Sequence, residues 1–327
     1  VCDENINIFS VTKNDYKHTT IDKPEQFEAF FDNFSETIMN SEEFAGNDML
    51  YNLLIKPVKP YLSEVSGFCT VPHGIIYNQP LHALKNPVSN KFLIEDFTIN
   101  YHSSATLWYQ NISQISDNNY QYSFIGMAPF FKEVKAEDKF LTRERILKSK
   151  SLEVLPDSKN ELVDAANQIA KLDKNEILIF LSDSATENQF REKAINSRII
   201  HLTTHSEGYE NSPEGSHIYF YSDNKLDTTT NDGTLYLPEI YMLKHRNCDL
   251  MLLSSCRSGI GQLHIGEGMN NMPRAFMFAG VSNMIYSLWE LNEKPNYLLL
   301  KEFYTAVAQG LNYPQALQQI GRASCRE

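Results

Sequence analysis

The stretch Asp249-Leu-Met-Leu-Leu-Ser254, with the polar turn Ser255-Cys-Arg-Ser-Gly259 that follows it, decides the fold of this chain. A short apolar run bounded by polar residues is typical of a strand that is buried on both faces, as the strands of a parallel sheet are. Arg198–Thr203, with the sequence RIIHLT, has the same character. We therefore start from two buried strands that are each followed at once by polar residues.

Strand and helix patterns alternate on both sides of these two segments. The other predicted strands are Tyr122–Met127, Glu176–Leu181 and Asn283–Leu288. The predicted helices are Glu161–Leu172, Thr186–Ala194, Met272–Phe278 and Asn296–Gln309. Between the two starting strands the sequence also predicts a hairpin (His217–Ser222 with Thr234–Leu237) and a helix near Pro238–Lys244. Such alternation predicts an α/β fold, with a mostly parallel sheet covered by helices on both faces.

The residues before this region follow other patterns. Gln26–Met39 has apolar residues at helical spacing and predicts an amphipathic helix. Short extended pieces follow, separated by Pro, Gly and Asn: Gly67–Val71, Gly74–Tyr77 and Phe92–Tyr101. We expect residues 1–49 to be the helical remnant of a longer N-terminal region and residues 50–319 to form one domain. Residues 320–327 resemble a translated sequencing adapter, and we expect them to be a non-native tail.

Composition and charge exclude several classes of function. The chain has 29 Lys and Arg against 41 Asp and Glu, a net charge of −12, and no cluster of basic residues. We therefore expect no direct binding to nucleic acid and none to an anionic membrane surface. No apolar run approaches the roughly 20 residues that span a bilayer. The five cysteines are odd in number and have no short paired spacing, which favours a reducing, cytoplasmic location.

Two chemically useful side chains follow the two starting strands. His205 comes just after Arg198–Thr203, and Cys256 comes just after Asp249–Ser254. Catalytic groups of such sheets gather beyond the carboxyl ends of the strands, and neighbouring strands lie only about 4.8 Å apart. A cysteine is mostly protonated at neutral pH, so a nearby histidine is needed to remove its proton during attack on a carbonyl. The backbone N–H of Cys256, at the strand end, could help to hold an oxyanion.

The positions of His205 and Cys256 alone are also compatible with purely structural roles. A cysteine at the end of an apolar strand is often a packed core residue, and a lone histidine is often structural. A zinc pair of His201 and His205 is rejected, because four residues along a strand span about 13 Å. His245 and Cys248 lack a second ligand pair, so we expect no metal site there.

Short motifs are spread along the chain in a definite order. The principal motifs are HLTTH (201–205), LLSSCRSG (252–259), GEG (266–268), RAFMFAG (274–280) and SLW (287–289). Upstream of these are VPHG (71–74), QPLHAL (79–84), YHSSA (101–105) and ATEN (185–188). In type and order these motifs resemble those of the CHAT domain, a family that contains caspase-like peptidases often attached to tetratricopeptide repeats and that is related to separases and caspases. The resemblance covers about residues 50–318.

The resemblance implies a three-layer α/β/α caspase-like fold and a cysteine endopeptidase without a metal or organic cofactor. His205 would be the general base and Cys256 the nucleophile, and the backbone N–H groups of Ser206 and Cys256 would hold the oxyanion. Protein substrates are implied, together with a regulatory sensor or repeat domain outside this fragment.

Further positions follow from the same comparison of motifs. The family usually has Gly where this chain has Ser206. Ser254 stands where the related metacaspases carry an acidic residue that selects basic side chains, so nothing in this motif indicates a basic preference. Trp289 would lie at the rim of the substrate cleft, or else would be an aromatic residue at the edge of the core.

Two other functions are compatible with the same residues. One is a catalytically silent scaffold that binds protein partners through the cleft, although a scaffold would need neither His205 nor Cys256. The other is a cysteine hydrolase of non-peptide esters or amides, which these motifs suit less well than they suit a peptidase.

Overall fold

The computed structural model describes residues 4–40, 42–62, 65–113, 119–130, 152, 154–222, 231–256, 258–264, 268–290 and 292–324. The chain divides into two compact units, one of Val1–Ser104 with Asn312–Glu327 and one of Ala105–Leu311. This division differs from the boundary that the sequence predicts near residue 50. The reason is packing, because Ile6 and Phe27 share one hydrophobic core with Leu50 and Leu93.

The first unit begins with a hairpin of β1 (Asn5–Val11) and β2 (Tyr16–Asp22), which the expected helical remnant did not include. The predicted amphipathic helix is confirmed as α1 (Phe27–Met39). The unit's other elements are α2 (Asn47–Leu50), α3 (Lys59–Leu62), the parallel pair β3 (Gly67–Thr70) and β4 (Thr98–Tyr101), α4 (Leu93–Asp96) and the helix Tyr313–Ser324. The predicted extended piece at Gly74–Tyr77 is wrong, because Gly74–Ile76 forms a single 3₁₀ turn.

The second unit contains ten strands and six helices among the described residues. The strands are β5 (Tyr122–Ala128), β6 (Glu176–Leu181), β7 (Ser197–Thr203), β8 (Ser206–Glu207), β9 (His217–Tyr219), β10 (Thr234–Tyr236), β11 (Leu250–Ser254), β12 (Gly261–His264), β13 (Gly268–Asn271) and β14 (Asn283–Tyr286). The helices are α5 (Ala105–Ser113), α6 (Ser158–Leu172), α7 (Glu187–Lys193), α8 (Leu237–Tyr241), α9 (Met272–Phe278) and α10 (Glu293–Ala308).

Five of these strands form the central sheet, in the order β14-β11-β7-β5-β6. All four pairings are parallel, which confirms the predicted parallel sheet. The register of β7 and β11 places Thr203 opposite Ser254, so the two strands end level with each other. Side chains that follow them therefore emerge at one edge of the sheet.

Helices cover both faces of this sheet, so the second unit is a mixed α/β fold in three layers. Residues that alternate along β5 point to opposite faces. Ile125 and Met127 belong to one core cluster with Phe190 of α7 and Phe276 of α9. On the other face, the ring of Phe124 lies 6.2 Å from that of Tyr304 on α10.

The predicted hairpin between β7 and β11 is confirmed as the antiparallel pair β9 and β10, and β8 adds a third strand to it. The helix expected near Pro238–Lys244 corresponds to α8. The sequence patterns did not predict α5 or the hairpin of β12 and β13. Among the residues that the structure describes, no helix combines the length and hydropathy that crossing a bilayer requires.

Candidate active site

His205 and Cys256 lie at the same edge of the central sheet, just beyond the carboxyl ends of two adjacent strands. Thr203 of β7 and Ser254 of β11 are paired in the register of the two strands. His205 comes two positions after Thr203, and Cys256 comes two positions after Ser254. The backbone N–H of Thr204 donates to the carbonyl of Ser254 at 3.2 Å, so the two chains stay together past the last paired residues. Both side chains are half-buried, and the cysteine is a free thiol. Both groups are therefore partly accessible to solvent.

The side chain of Ser206 links the two loops directly. Its Oγ lies 2.8 Å from the carbonyl oxygen of Cys256 and 3.0 Å from the Oγ of Ser255. A carbonyl can only accept, so the Ser206 hydroxyl proton goes to Cys256, and the Ser255 hydroxyl then donates to Ser206. The residue after the candidate base thus holds the backbone of the candidate nucleophile.

The backbone of Ser206 is oriented by the small sheet of β8 and β9. The N–H of Tyr219 donates to the carbonyl of His205 at 3.0 Å, so those two residues form a hydrogen-bonded pair of the antiparallel ladder. Hydrogen-bonded and non-bonded pairs alternate along such a ladder. The next pair, Ser206 with Ile218, is therefore of the non-bonded kind, and the Ser206 N–H points away from β9.

The turn after Cys256 is anchored to the end of β14. The Oγ of Ser287 donates to the carbonyl of Ser255 at 2.6 Å, and the N–H of Gly259 donates to the carbonyl of Ser287 at 3.1 Å. A Cβ on Gly259 would meet the ring of Tyr286 at 2.8 Å, so only glycine permits this close approach. These bonds fix the path of the turn that carries the thiol.

Ser254 is buried, and a polar network beneath the sheet holds it. Its Oγ accepts a hydrogen bond of 2.8 Å from Asn296 of α10. The same amide nitrogen lies 3.3 Å from a carboxylate oxygen of Glu161 on α6, whose other oxygen lies 2.9 Å from Nε2 of His201. The hydroxyl of Tyr304 completes the network, 3.2 Å from Nδ1 of His201. His201 is fully buried within this network.

The model of the CHAT domain matches residues 47–326. The chain belongs to the CHAT domain family. That family includes caspase-like cysteine peptidases, so the coarse class that the sequence motifs indicated is confirmed.

This CHAT domain is also similar to a solved protease structure. A crystal structure of the Arg-specific cysteine proteinase gingipain R matches with a TM-score of 0.41 and 8% sequence identity. The match covers 68% of this chain and 48% of the gingipain chain, so this chain spans about half the length of that structure. Comparison with curated protein sequences gives no significant match.

Trp289 lies shortly past the end of β14 in this CHAT domain, at the edge of the sheet where His205 and Cys256 also lie. Its side chain is half-buried. A role for Trp289 at the rim of the cleft, and for Ser254 in the cleft, stays a prediction.

The second unit contains two cysteines, Cys248 and Cys256, and their surroundings differ. Cys248 is 1% exposed, and burial raises the pKa of its thiol, so it is a packed core residue. His245 is also fully buried, and burial lowers its pKa to about 4. Within the described ranges, no three His, Cys, Asp or Glu side chains are grouped as a metal site would require.

Several residues that shape the site were not singled out from the sequence. Asn296 reaches Ser254 from a distant helix, and no sequence motif indicates that contact. Ser287 belongs to the SLW motif, but the motif does not indicate its hydrogen bond to the carbonyl of Ser255. The position of Glu207 near the site could have been predicted from the sequence. Glu207 follows His205 by two positions, and alternation along a strand places both side chains on one face.

Proposed function

We propose that this CHAT domain is a cysteine endopeptidase in which His205 and Cys256 form a catalytic dyad. One observation carries the proposal, namely the level ends of β7 and β11, which put the two side chains at one edge of the sheet. The half-exposed free thiol supports the role of Cys256 as the nucleophile. The dyad needs no metal or cofactor for this chemistry.

In the proposed reaction, Cys256 Sγ attacks the carbonyl carbon of the scissile peptide bond, and His205 takes the thiol proton. The C–N bond then breaks, His205 gives the proton to the departing amine, and a thioester remains on Cys256. Water attacks the thioester with His205 again accepting a proton. The C–S bond breaks, the acid product leaves, and the proton returns to the Cys256 sulfur.

The backbone N–H groups of Ser206 and Cys256 are proposed to stabilise the oxyanion of both tetrahedral intermediates. The orientation of Ser206 supports its share of this role, because its N–H points away from β9 and is not consumed by that ladder. Serine in place of the family's usual glycine keeps the N–H. It adds the hydroxyl that holds the carbonyl of Cys256.

Replacing Ser206 with alanine should lower kcat/KM for peptide cleavage roughly tenfold, because the Cys256 loop loses its side-chain tether while the oxyanion N–H remains. Steady-state kinetics on a fluorogenic peptide measures this. Ser212→Ala, at an exposed serine further along the same loop, is the matched control and should behave as wild type. Equal kinetics for both variants would show that the tether has no role in positioning the thiol.

The proposed nucleophile is tested by digestion of a peptide library with the wild-type chain and with Cys256→Ala. Wild type should cleave a subset of the library, and the variant should cleave none of it, because no other group replaces the thiolate. Cys69→Ala, which removes an exposed thiol in the first unit, should leave the cleavage pattern unchanged. Equal cleavage by wild type and Cys256→Ala would exclude the assigned nucleophile.

The same digest separates the peptidase from a silent scaffold. A scaffold would cleave nothing in either form, and iodoacetamide would alkylate Cys256 no faster than Cys69. A peptidase should show faster alkylation at Cys256, because the neighbouring His205 promotes loss of the thiol proton. Mass spectrometry of the labelled peptides gives both rates in one sample.

A further inference from the structure

The small sheet of β8, β9 and β10 places an unusual set of side chains on the same face as His205. Glu207, His217 and Tyr236 stand opposite each other in its register. The neighbouring row on that face contains His205 and Tyr219, whose backbones are hydrogen-bonded. The row between them, which includes Ile218, points to the opposite face and is buried in the core.

The carboxylate of Glu207 is the centre of this set. One of its oxygens accepts a hydrogen bond of 2.9 Å from the hydroxyl of Tyr219, and the other accepts one from the hydroxyl of Tyr209. Hydrogen bonds to the ionised form favour a negative charge on a carboxylate.

Aromatic rings cluster around His217, the residue that stands opposite Glu207 in the register. The ring of His217 lies 4.6 Å from that of Tyr219, 5.2 Å from that of Tyr236 and 6.4 Å from that of Tyr209, measured between centroids. We call these four rings, together with Glu207, the tyrosine cage. Tyr209 is 42% exposed, so the cage reaches the protein surface at this residue.

His217 adds an observation that a purely structural cluster would not require. The residue is 3% exposed, and its Nδ1 donates to the carbonyl of Gly215 at 2.7 Å. Within the described part of the chain, no hydrogen-bond partner reaches its buried Nε2. Buried polar atoms are nearly always hydrogen-bonded, so an unsatisfied one points to a group that binds there.

We propose that the tyrosine cage is a substrate subsite that binds the cationic side chain of a lysine or arginine close to the scissile bond. Aromatic faces attract a cation, and a carboxylate supplies the opposite charge. The Nε2 of His217 can accept a hydrogen bond from the same ammonium or guanidinium group.

The distance from the dyad fits a neighbouring position of the substrate. Glu207 follows His205 by two residues on one face, which is about 6.6 Å along a strand. That length corresponds to about two residues of an extended peptide. The inference deepens the proposed peptidase function and rests on it, because the cage is assigned to the same cleft. It also supplies the basic preference that Ser254 did not indicate.

Binding measured without turnover tests the cage. The full chain with Cys256→Ala is titrated against two fluorescein-labelled heptapeptide pools, one with a central lysine and one with a central norleucine, with uncharged residues elsewhere. The lysine pool should bind about tenfold more tightly, since a cation bound by rings and a carboxylate gains on the order of 1.4 kcal/mol. Glu207→Gln should remove most of that preference and leave binding of the norleucine pool unchanged.

Two additional variants keep the test decisive. Glu210→Gln removes the same charge at an exposed position beyond the cage and should preserve the preference for lysine. Tyr236→Leu keeps an apolar side chain but removes the π-face, and it should reduce the preference as Glu207→Gln does. Equal binding of the two pools, or an equal effect of Glu207→Gln and Glu210→Gln, would overturn the subsite.

Failure of the subsite and failure of the peptidase give different results. If the wild-type chain cleaves both pools at equal rates, the cage is not a subsite for a cation, while the proposed peptidase function is supported. If the lysine pool binds preferentially but the wild-type chain cleaves neither pool, the subsite is supported and the proposed peptidase function is refuted.

Discussion

Replacing His205 with alanine should lower kcat/KM for peptide cleavage by about 10³-fold, because the proposed reaction uses this side chain to move a proton in both half-reactions. The fold should tolerate the change. The imidazole is half-buried and its ring lies 5.3 Å from that of Phe130, whereas the hydrogen bond that joins this residue to Tyr219 is made by the backbone. Steady-state kinetics and a thermal melt of the same preparation measure the two effects.

The exposed His18 on β2 provides the matched control. His18→Ala should keep wild-type kinetics, and both variants should melt within a few degrees of wild type. In addition, alkylation of Cys256 by iodoacetamide should slow in His205→Ala, because the thiol loses its proton acceptor. A His205→Ala variant that cleaves as fast as wild type would remove the histidine from the mechanism and leave Cys256 to be activated by another group.

The parts of the fold that could be predicted are those that local patterns determine. The apolar run of Asp249–Ser254 and the helical spacing in Glu161–Leu172 correspond to β11 and α6. Burial of a strand on both faces leaves a continuous apolar run, and burial of one helix face leaves apolar residues at helical spacing. The positions of His205 and Cys256 follow from the same reasoning. Once two parallel strands are adjacent, their carboxyl ends must lie at one edge.

The parts that could not be predicted depend on contacts between distant segments. Asn296 donates to Ser254 across 42 positions of the chain, and such a bond depends on how α10 is placed over the sheet. The hairpin strand β1 of the first unit was not predicted for another reason. Ile6 and Ile8 alternate with Asn5 and Asn7, a strand signal that the polar composition of this region obscured.

The tyrosine cage falls between these two cases. Alternation along β8 is local, and it places Glu207 on the face of His205. The rings that complete the cage come from β9 and β10, which become neighbours only when the hairpin pairs in the observed register. The sequence could therefore have indicated the carboxylate but not the surrounding cage.

Replacing Glu161 with leucine should destabilise the second unit by about 3 kcal/mol, because it leaves Nε2 of the fully buried His201 without its partner. For a domain of this size, that loss corresponds to a fall in melting temperature of roughly 10 °C. The change also removes an acceptor of Asn296, which in turn holds Ser254 two positions before the proposed nucleophile. We therefore expect kcat to fall as well, measured below the melting transition.

Asp164→Ala on the same helix is the matched control, because its partners Tyr297 and Lys301 pair with it at the surface, where ion pairs contribute little. The single variant His201→Leu and the double variant Glu161→Leu with His201→Leu complete a double-mutant cycle. Since an apolar pair can replace a buried polar one, the double variant should be more stable than Glu161→Leu alone. Kinetics on the same proteins then separate the two roles of the network. Recovery of stability without recovery of kcat would show that the polar bond to Asn296, and not packing beneath the sheet, aligns the end of β11. A melting temperature for Glu161→Leu no lower than that of Asp164→Ala would show instead that this buried pair contributes nothing to the fold.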